Sequence, residues 1–365
     1  MARLGDVCEK ATSNLVQKDL EGHSGIYPIY GASGFIANVD FYQQEKPYIA
    51  VVKDGAGIGR IMKLPAKSSV IGTMQYIIPS DTVDISYLAY AMEHMNLSKY
   101  FTGATIPHIY FKDYQKEEFP LAPLAEQRKI AAVLDKVSGL IAKRRQQLDK
   151  LDELVKARFV EIFGDPETNA KNWRVLPMSK ICSVGSSKRI YQSEQSSSGV
   201  PFWRVSDLTN LINTGTVTPD LYIPEERYET LRSQGQVPAP DDILITSRGT
   251  LGRCYIVKAN DRFYFQDGMI SWLSGYMDCI TPLYISYLFT MPEFRKQIDS
   301  MQAGSTVAYL SIAMIKKLKV MLPDIESQQQ FASFVSKTEK TKTTISRSLE
   351  KLETLKKALM QEYFG

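Results

Sequence analysis

The constraint that dominates this chain is that it is written twice. Residues 148–164 read LDKLDELVKARFVEIFG and residues 349–365 read LEKLETLKKALMQEYFG, an ungapped match at an offset of 201. Leu148, Leu151, Leu154, Phe163 and Gly164 recur at Leu349, Leu352, Leu355, Phe364 and Gly365. Lys150, Lys156 and Ala157 recur at Lys351, Lys357 and Ala358. The same offset aligns Gln127 with Gln328 and Gly103-Ala-Thr105 with Gly304-Ser-Thr306. Ile85-Ser-Tyr-Leu88 matches Ile285-Ser-Tyr-Leu288 at an offset of 200. With a small gap, KDGAGIGR (53–60) resembles SRGTLGR (247–253), and Cys8 and Cys182 stand near the starts of the two copies. So many matches in one order mark a duplication, and a duplicated chain folds as two like units.

Each copy ends in a helix. Apolar positions run Ile130, Leu134, Val137, Ile141, Leu148, Leu151, Val155 and Ile162 in the first, with Arg144 and Arg158 also on the seam. The second runs Phe331, Val335, Thr338, Ile345, Leu349, Leu352, Leu359 and Tyr363. Pro123 and Pro323 precede the segments, and Gly164 and Gly365 follow them, as helix punctuation requires. This predicts two helices of about 38 residues, about 55 Å each. A two-in-seven seam of that length needs a partner along it. Each helix follows its own unit, so the two pair as an antiparallel coiled coil with pseudo-two-fold symmetry; the plainer alternative is two long surface helices on one globule.

The regions before the helices carry strand-like runs, PYIAVV (47–52), QYIIP (75–79), DILIT (242–246) and MISWL (269–273), between Gly/Ser/Asn turns. Helical patterns follow at 85–95 and 282–291. The fold class is α+β: two tandem domains, 1–123 and 164–324, each followed by a spacer helix, 124–163 and 325–365. The second domain is about 40 residues longer, and the excess between Ser186 and Pro240 reads as insertions and loops.

Composition narrows the function. The 365 residues are 44% apolar and 23% charged with net charge +4, which excludes disorder and a polycationic nucleic-acid coat. The surplus is uneven. Residues 124–163 hold 9 Lys+Arg against 6 Asp+Glu and residues 325–365 hold 7 against 5, whereas residues 1–123 hold 11 against 13 and residues 164–324 hold 17 against 16. The helices are basic and the domains together slightly acidic. No apolar run is long enough for a membrane span and MARLGDVCEK lacks an apolar leader, so a cytoplasmic chain away from the membrane is expected. Four cysteines with no CxxC pair, and three scattered histidines (His23, His94, His108), give no metal pattern and read as structural.

The glycines 55, 57 and 59 first suggest a cofactor loop, with Asp54 at its edge. That chemistry needs a helix opening on the loop, and RIMKLPAKSS follows instead. A tight turn between two strands fits both copies. Lys53, Arg60, Arg248 and Arg253 flank the turn glycines, with Ser247 and Thr250 adding hydroxyls; Arg to guanine and Ser/Thr to phosphate are usual groove contacts. Tyr30 and Ser33 in YPIYGASG correspond to Trp203, Arg204, Ser206 and Asp207 in VPFWRVSD, an aromatic–polar pattern that suits either nucleic acid or core. Thr105, Ser305 and Thr306 on the polar Gly turns suit phosphate or a cap. GxSxG, HExxH, Walker and zinc patterns and the Asn/Asp-Pro-Pro-aromatic motif of adenine methyltransferases are absent from the sequence.

Taken in order, these motifs resemble the specificity subunit of type I restriction–modification systems, over the whole chain. The helix start P-L-x-E-Q appears as Pro123-Leu-Ala-Glu126-Gln127 and, with one extra residue, as Pro323-Asp-Ile-Glu326-Ser-Gln328. The strand–turn DIL-x-x-SRGT-x-G appears as Asp242–Gly252, with KDGAGIG departing from it in the first copy. GATIPHI and GSTVAYL match G-[SA]-T-[IV]-P-x-[IL], with Ala308 in place of Pro. The resemblance implies a non-catalytic subunit on double-stranded DNA, each domain reading one half of a bipartite asymmetric site. It implies that the helices set the gap and dock two modification (methyltransferase) subunits, with restriction (motor-nuclease) subunits added. S-adenosylmethionine would belong to the former and ATP and Mg to the latter, with no cofactor in this chain. The alternatives are an S-adenosylmethionine-dependent methyltransferase using Gly55–Gly59, and a coiled-coil scaffold without DNA.

Overall fold

PYIAVV and DILIT become the inner strands of two sheets with one topology. The computed structural model describes residues 1–55, 57–103, 107–302 and 308–365. The chain divides into two units: Met1–Leu148 with Thr344–Gly365, and Asp149–Thr343. In chain order the elements used below are β1 (Cys8–Thr12), β2 (Tyr27–Gly31), β3 (Gly34–Val39), β4 (Tyr48–Val52), β5 (Ile61–Leu64), β6 (Ser69–Val70), β7 (Met74–Pro79), α1 (Ile85–Met95) and α2 (Leu124–Phe163). They continue with β8 (Ser183–Gly185), β9 (Val200–Trp203), α3 (Val205–Thr214), β10 (Tyr222–Ile223), α4 (Glu225–Ser233), β11 (Ile243–Thr246), β12 (Cys254–Ile256), β13 (Tyr264–Phe265), β14 (Ile270–Ser274), α5 (Pro282–Leu288) and α6 (Ile325–Phe364).

The first unit pairs β1-β7-β4-β5 in one sheet and β3-β2-β6 in another; the second pairs β8-β14-β11-β12 and β10-β9-β13. The match extends to direction. The four-stranded sheets are antiparallel throughout, while β2·β6 and β9·β13 are parallel. The inner strands β4 and β11 are apolar at nearly every position because both faces are covered. Alternate residues of β4 face two clusters: Ile49 and Val51 pack with Leu88 and Met92 of α1, while Tyr48, Ala50 and Val52 pack with Val70 and Tyr76. On β11, Ile243 and Ile245 face the cluster of α5 and the long helices, and Leu244 faces Trp203 and Phe265.

Both long helices run 40 residues without a break. Within the first unit, Ile130 and Leu134 of α2 pack with Met360 and Phe364 of α6, and further along Arg145 pairs with Glu353 at 2.6 Å. Within the second, Phe159 and Phe163 lie 5.5 and 5.4 Å from Phe331, ring to ring, and Asp152 meets Lys342 at 2.8 Å. Early residues of one helix meet late residues of the other in both, so the pairing is antiparallel. Among the seam positions, Ile130 to Ile141 and Phe331 to Thr338 are buried and Leu148, Leu151, Leu349 and Leu352 are half-buried. The last turns of both helices do more than the heptad pattern indicates. Phe159, Phe163, Met360 and Phe364 are buried as well and anchor each helix end in a domain core.

Two details differ from the sequence reading. The ISYL match is displaced by three residues. Tyr87 donates from its hydroxyl to Pro120 O and its ring lies 5.0 Å from Phe364; Tyr284, not Tyr287, does the same with Met321 O and Phe163. Matching residues on a helix three apart keeps them on nearly the same face, which is why the displaced alignment looked coherent. The excess between Ser186 and Pro240 is not loop alone, since it holds α3 and α4, whose Leu208 and Leu231 are fully buried.

A pair of buried glutamines fixes each helix to its domain. Gln127 accepts from Asp84 N at 2.7 Å and donates to Thr82 O and Ala122 O. Gln328 accepts from Thr281 N at 2.8 Å and donates to Cys279 O and Pro323 O. Both are 1% exposed. Asp84 and Thr281 are the N-caps of α1 and α5, so one side chain ties the first turn of the long helix to the first turn of the domain helix. Leucine would leave these donors and acceptors unpaired in the interior. Gln328→Leu is expected to cost about 2–4 kcal/mol in urea unfolding, with the exposed Gln329→Ala within experimental error of the parent; equal midpoints for the two variants would contradict the latch.

Candidate nucleic-acid interface

The Gly turns join antiparallel strands, β4 to β5 and β11 to β12, as the sequence reading required. In the first, Gly59 N donates to Val52 O at 2.8 Å and Val52 N to Arg60 O at 2.9 Å; in the second, Gly252 N donates to Thr246 O at 2.9 Å and Thr246 N to Arg253 O at 3.0 Å. Lys53 N and Ser247 N next donate to Thr73 O and Met269 O, while Lys53 O and Ser247 O accept from Ile109 N and Leu310 N. This backbone scaffold equates Lys53 with Ser247, Asp54 with Arg248, Arg60 with Arg253 and His108 with Tyr309. Glycine is required at Gly59, where φ is +80° and a Cβ would stand 2.6 Å from Ser98 N. Gly249, at φ +71° with open space beside it, needs glycine only for its backbone angle.

The turns differ in what they present. Asp54 is hydrogen-bonded to His108 Nδ1, and Lys53 Nζ stands 3.7 Å from the same carboxylate. His108 lies 4.2 Å from Tyr110, ring to ring. Arg60 is exposed and donates to Ala32 O at 3.0 Å, which brings this turn against the β2–β3 turn carrying the exposed Ser33. In the second unit Arg248 is exposed and its guanidinium lies 5.3 Å above the Tyr309 ring. Arg253 is exposed and donates to Asn213 Oδ1 of α3 at 2.8 Å. Thr250 is exposed at the turn.

Other candidates fall elsewhere. Tyr30 and Trp203 occupy equivalent places, opposite Val70 of β6 and Phe265 of β13. Tyr30 is half-buried, edge-on to Phe35. Trp203 is a correction: it is 7% exposed, stacked at 3.7 Å on Phe263, so its faces are occupied by core and not by a base. Ser247 is a second correction, since its hydroxyl is buried against Ser271 at 2.8 Å. Arg204 is held by two carboxylates, Asp207 at 3.4 Å and Asp220 at 2.5 Å, which offsets its charge. Ser206 is exposed on the first turn of α3. Thr105, Ser305 and Thr306 lie outside the described residues.

The side chains the sequence reading passed over are Asp54, His108 and Tyr309. Their signal was present in the repeat: the offset that equates GATIPHI with GSTVAYL also equates His108 with Tyr309, and the Gly-turn match equates Asp54 with Arg248. The cysteines repeat too. Cys8 and Cys182 are buried, donate to Leu4 O and Met178 O, and have their thiols pushed up to about 12 by burial, so both are unreactive packing groups. No helix among the described residues is long and apolar enough to cross a membrane.

Comparison with known proteins agrees with this architecture. The chain is 24% identical to the type I restriction enzyme MjaVIII specificity subunit of Methanocaldococcus jannaschii, covering 99% of this chain and 90% of that one. The fold resembles the crystal structure of the type I restriction–modification S subunit from M. genitalium, at TM-score 0.61 and 16% identity over 100% of this chain and 95% of that one. A structure described under complex assembly and conformational transition of the type I R-M system gives TM-score 0.53 at 16% identity, over 99% and 96%. The family profile for the type I restriction modification DNA specificity domain matches residues 1–153 and 170–354, so two copies of that domain fill nearly the whole chain and the protein belongs to that family.

Proposed function

We propose that this chain is the non-catalytic reader of a type I restriction–modification complex, each unit reading one half of a bipartite, asymmetric DNA site. The observation that carries this is the equivalence of the two Gly turns, built on one hydrogen-bond scaffold yet bearing different side chains. One scaffold with unlike readers gives two unlike half-sites. The helices set the gap, since α2 and α6 are unbroken over 40 residues each, about 60 Å at the helical rise. Few cations stand free on the turns, so most of the phosphate attraction that DNA affinity needs comes from partner subunits and from the basic helices.

Two methyltransferase subunits dock on those helices. Leu154 and Leu355 are repeat equivalents, and they stay 48% and 46% exposed although helix leucines normally find cover. Equivalent exposed leucines, once per unit, suit two copies of one partner. S-adenosylmethionine is then the partner's cofactor, and ATP and Mg belong to the restriction subunits that complete the assembly.

Methylated-base sequencing of DNA from cells carrying this chain and its methyltransferase is expected to return one motif with two unlike halves and a fixed gap. A heptad inserted at matched places in both helices keeps the seam in phase and should widen that gap by about three base pairs. An unchanged gap contradicts the spacer role. Leu154→Asp with Leu355→Asp should reduce co-purification of the methyltransferase at least about tenfold with no change in the unfolding midpoint. Retention of both partner copies by that variant would place the docking surface elsewhere.

A further inference from the structure

The equivalence of Asp54 with Arg248 sorts base contacts from phosphate contacts. The two residues follow the same hydrogen-bonded position, Lys53 or Ser247, and each faces the same second partner, His108 or Tyr309, which precede the equivalent Ile109 and Leu310. A position against phosphate would reject a carboxylate, because the two anions repel at close range. A position that holds Asp in one copy and Arg in the other therefore faces something whose polarity varies. On duplex DNA that is the base edge.

We propose that Asp54–His108 and Arg248–Tyr309 are the base-reading pairs of the two units, the first taking the exocyclic amino group of cytosine or adenine and the second taking guanine. This rests on the reading of the chain as a DNA specificity subunit. The Asp54 carboxylate accepts from His108 Nδ1–H, which fixes the tautomer and leaves Nε2 as an acceptor. The pair thus offers acceptors, and the matching donors in the major groove are the N4 amino group of cytosine and the N6 amino group of adenine. Arg248 offers a fork of donors that matches O6 and N7 of guanine, and the Tyr309 ring beneath it holds the guanidinium plane without neutralising it. Arg60 and Arg253 hold the other equivalent place. It is cationic in both copies, as a phosphate contact requires, and each is steadied by a neutral oxygen, Ala32 O or Asn213 Oδ1.

The test uses the full chain with its methyltransferase, and methylated-base sequencing as the readout. Arg248→Gln should lower discrimination at one guanine position of one half-site at least about fivefold and leave the other half-site intact. Asp54→Asn and His108→Gln should alter one position of the opposite half-site only. Arg60→Gln and Arg253→Gln should weaken binding evenly across sequences and reduce the salt slope by about one, while Arg248→Gln leaves that slope unchanged. An unaltered motif in the Asp54 and Arg248 variants, or an even loss over both half-sites, overturns the assignment while the parent motif stands. A parent complex that yields no sequence motif overturns the specificity reading and the assignment with it.

Discussion

Everything in this molecule depends on two buried amides. Gln127 and Gln328 each join the start of a 40-residue helix to the start of a domain helix through bonds that water cannot replace. A long helix held by apolar packing alone can rock, since dispersion contacts have no preferred direction. An amide with both ends bonded in the interior has one orientation. The aromatic anchors Phe163 and Phe364 then close the far end of each helix against Tyr284 and Tyr87. Each domain is thus fixed at its latch to the helix that follows it, and at its anchor to the end of the other helix.

The two copies differ in what their Gly turns present. Four backbone bonds around the turns are shared, from those of Val52 and Thr246 to those of Ile109 and Leu310. The side chains on that scaffold are Asp and His in one unit, Arg and Tyr in the other. The two domains are themselves near neutral. Under the proposed function, a reader with a carboxylate at its centre gains little affinity by charge, and the basic helices and the partner subunits would supply it.

Much of this was legible in the sequence because duplication doubles every weak signal. One basic Gly turn reads as a solvated hairpin; the same turn at KDGAGIGR and SRGTLGR reads as a device. The seam residues from Ile130 to Ile141 were legible for the usual reason, that burial on a helix recurs every three to four positions. Other features were not. Trp203 and Ser247 sit in motifs that mix aromatic, hydroxyl and basic residues, and such a motif does not say which members face inward; stacking on Phe263 and bonding to Ser271 decided that. The ISYL match misled by one near-turn of helix. His108 looked structural because its partner Asp54 is 54 residues away and only the fold joins them. The buried glutamines were visible as a repeat, while the reason for them lay in caps, Asp84 and Thr281, that no linear pattern connects.

The most direct measurement concerns the duplication itself. A chain made of residues 1–164 in tandem carries the first unit twice, and the identities of Leu148, Leu151, Phe163 and Gly164 with Leu349, Leu352, Phe364 and Gly365 keep those helix positions unchanged. With its methyltransferase it should methylate an inverted repeat of one half-site, as read by methylated-base sequencing. An asymmetric motif that keeps the second half-site, or methylation without sequence preference, would contradict the account of two equivalent readers on one paired frame.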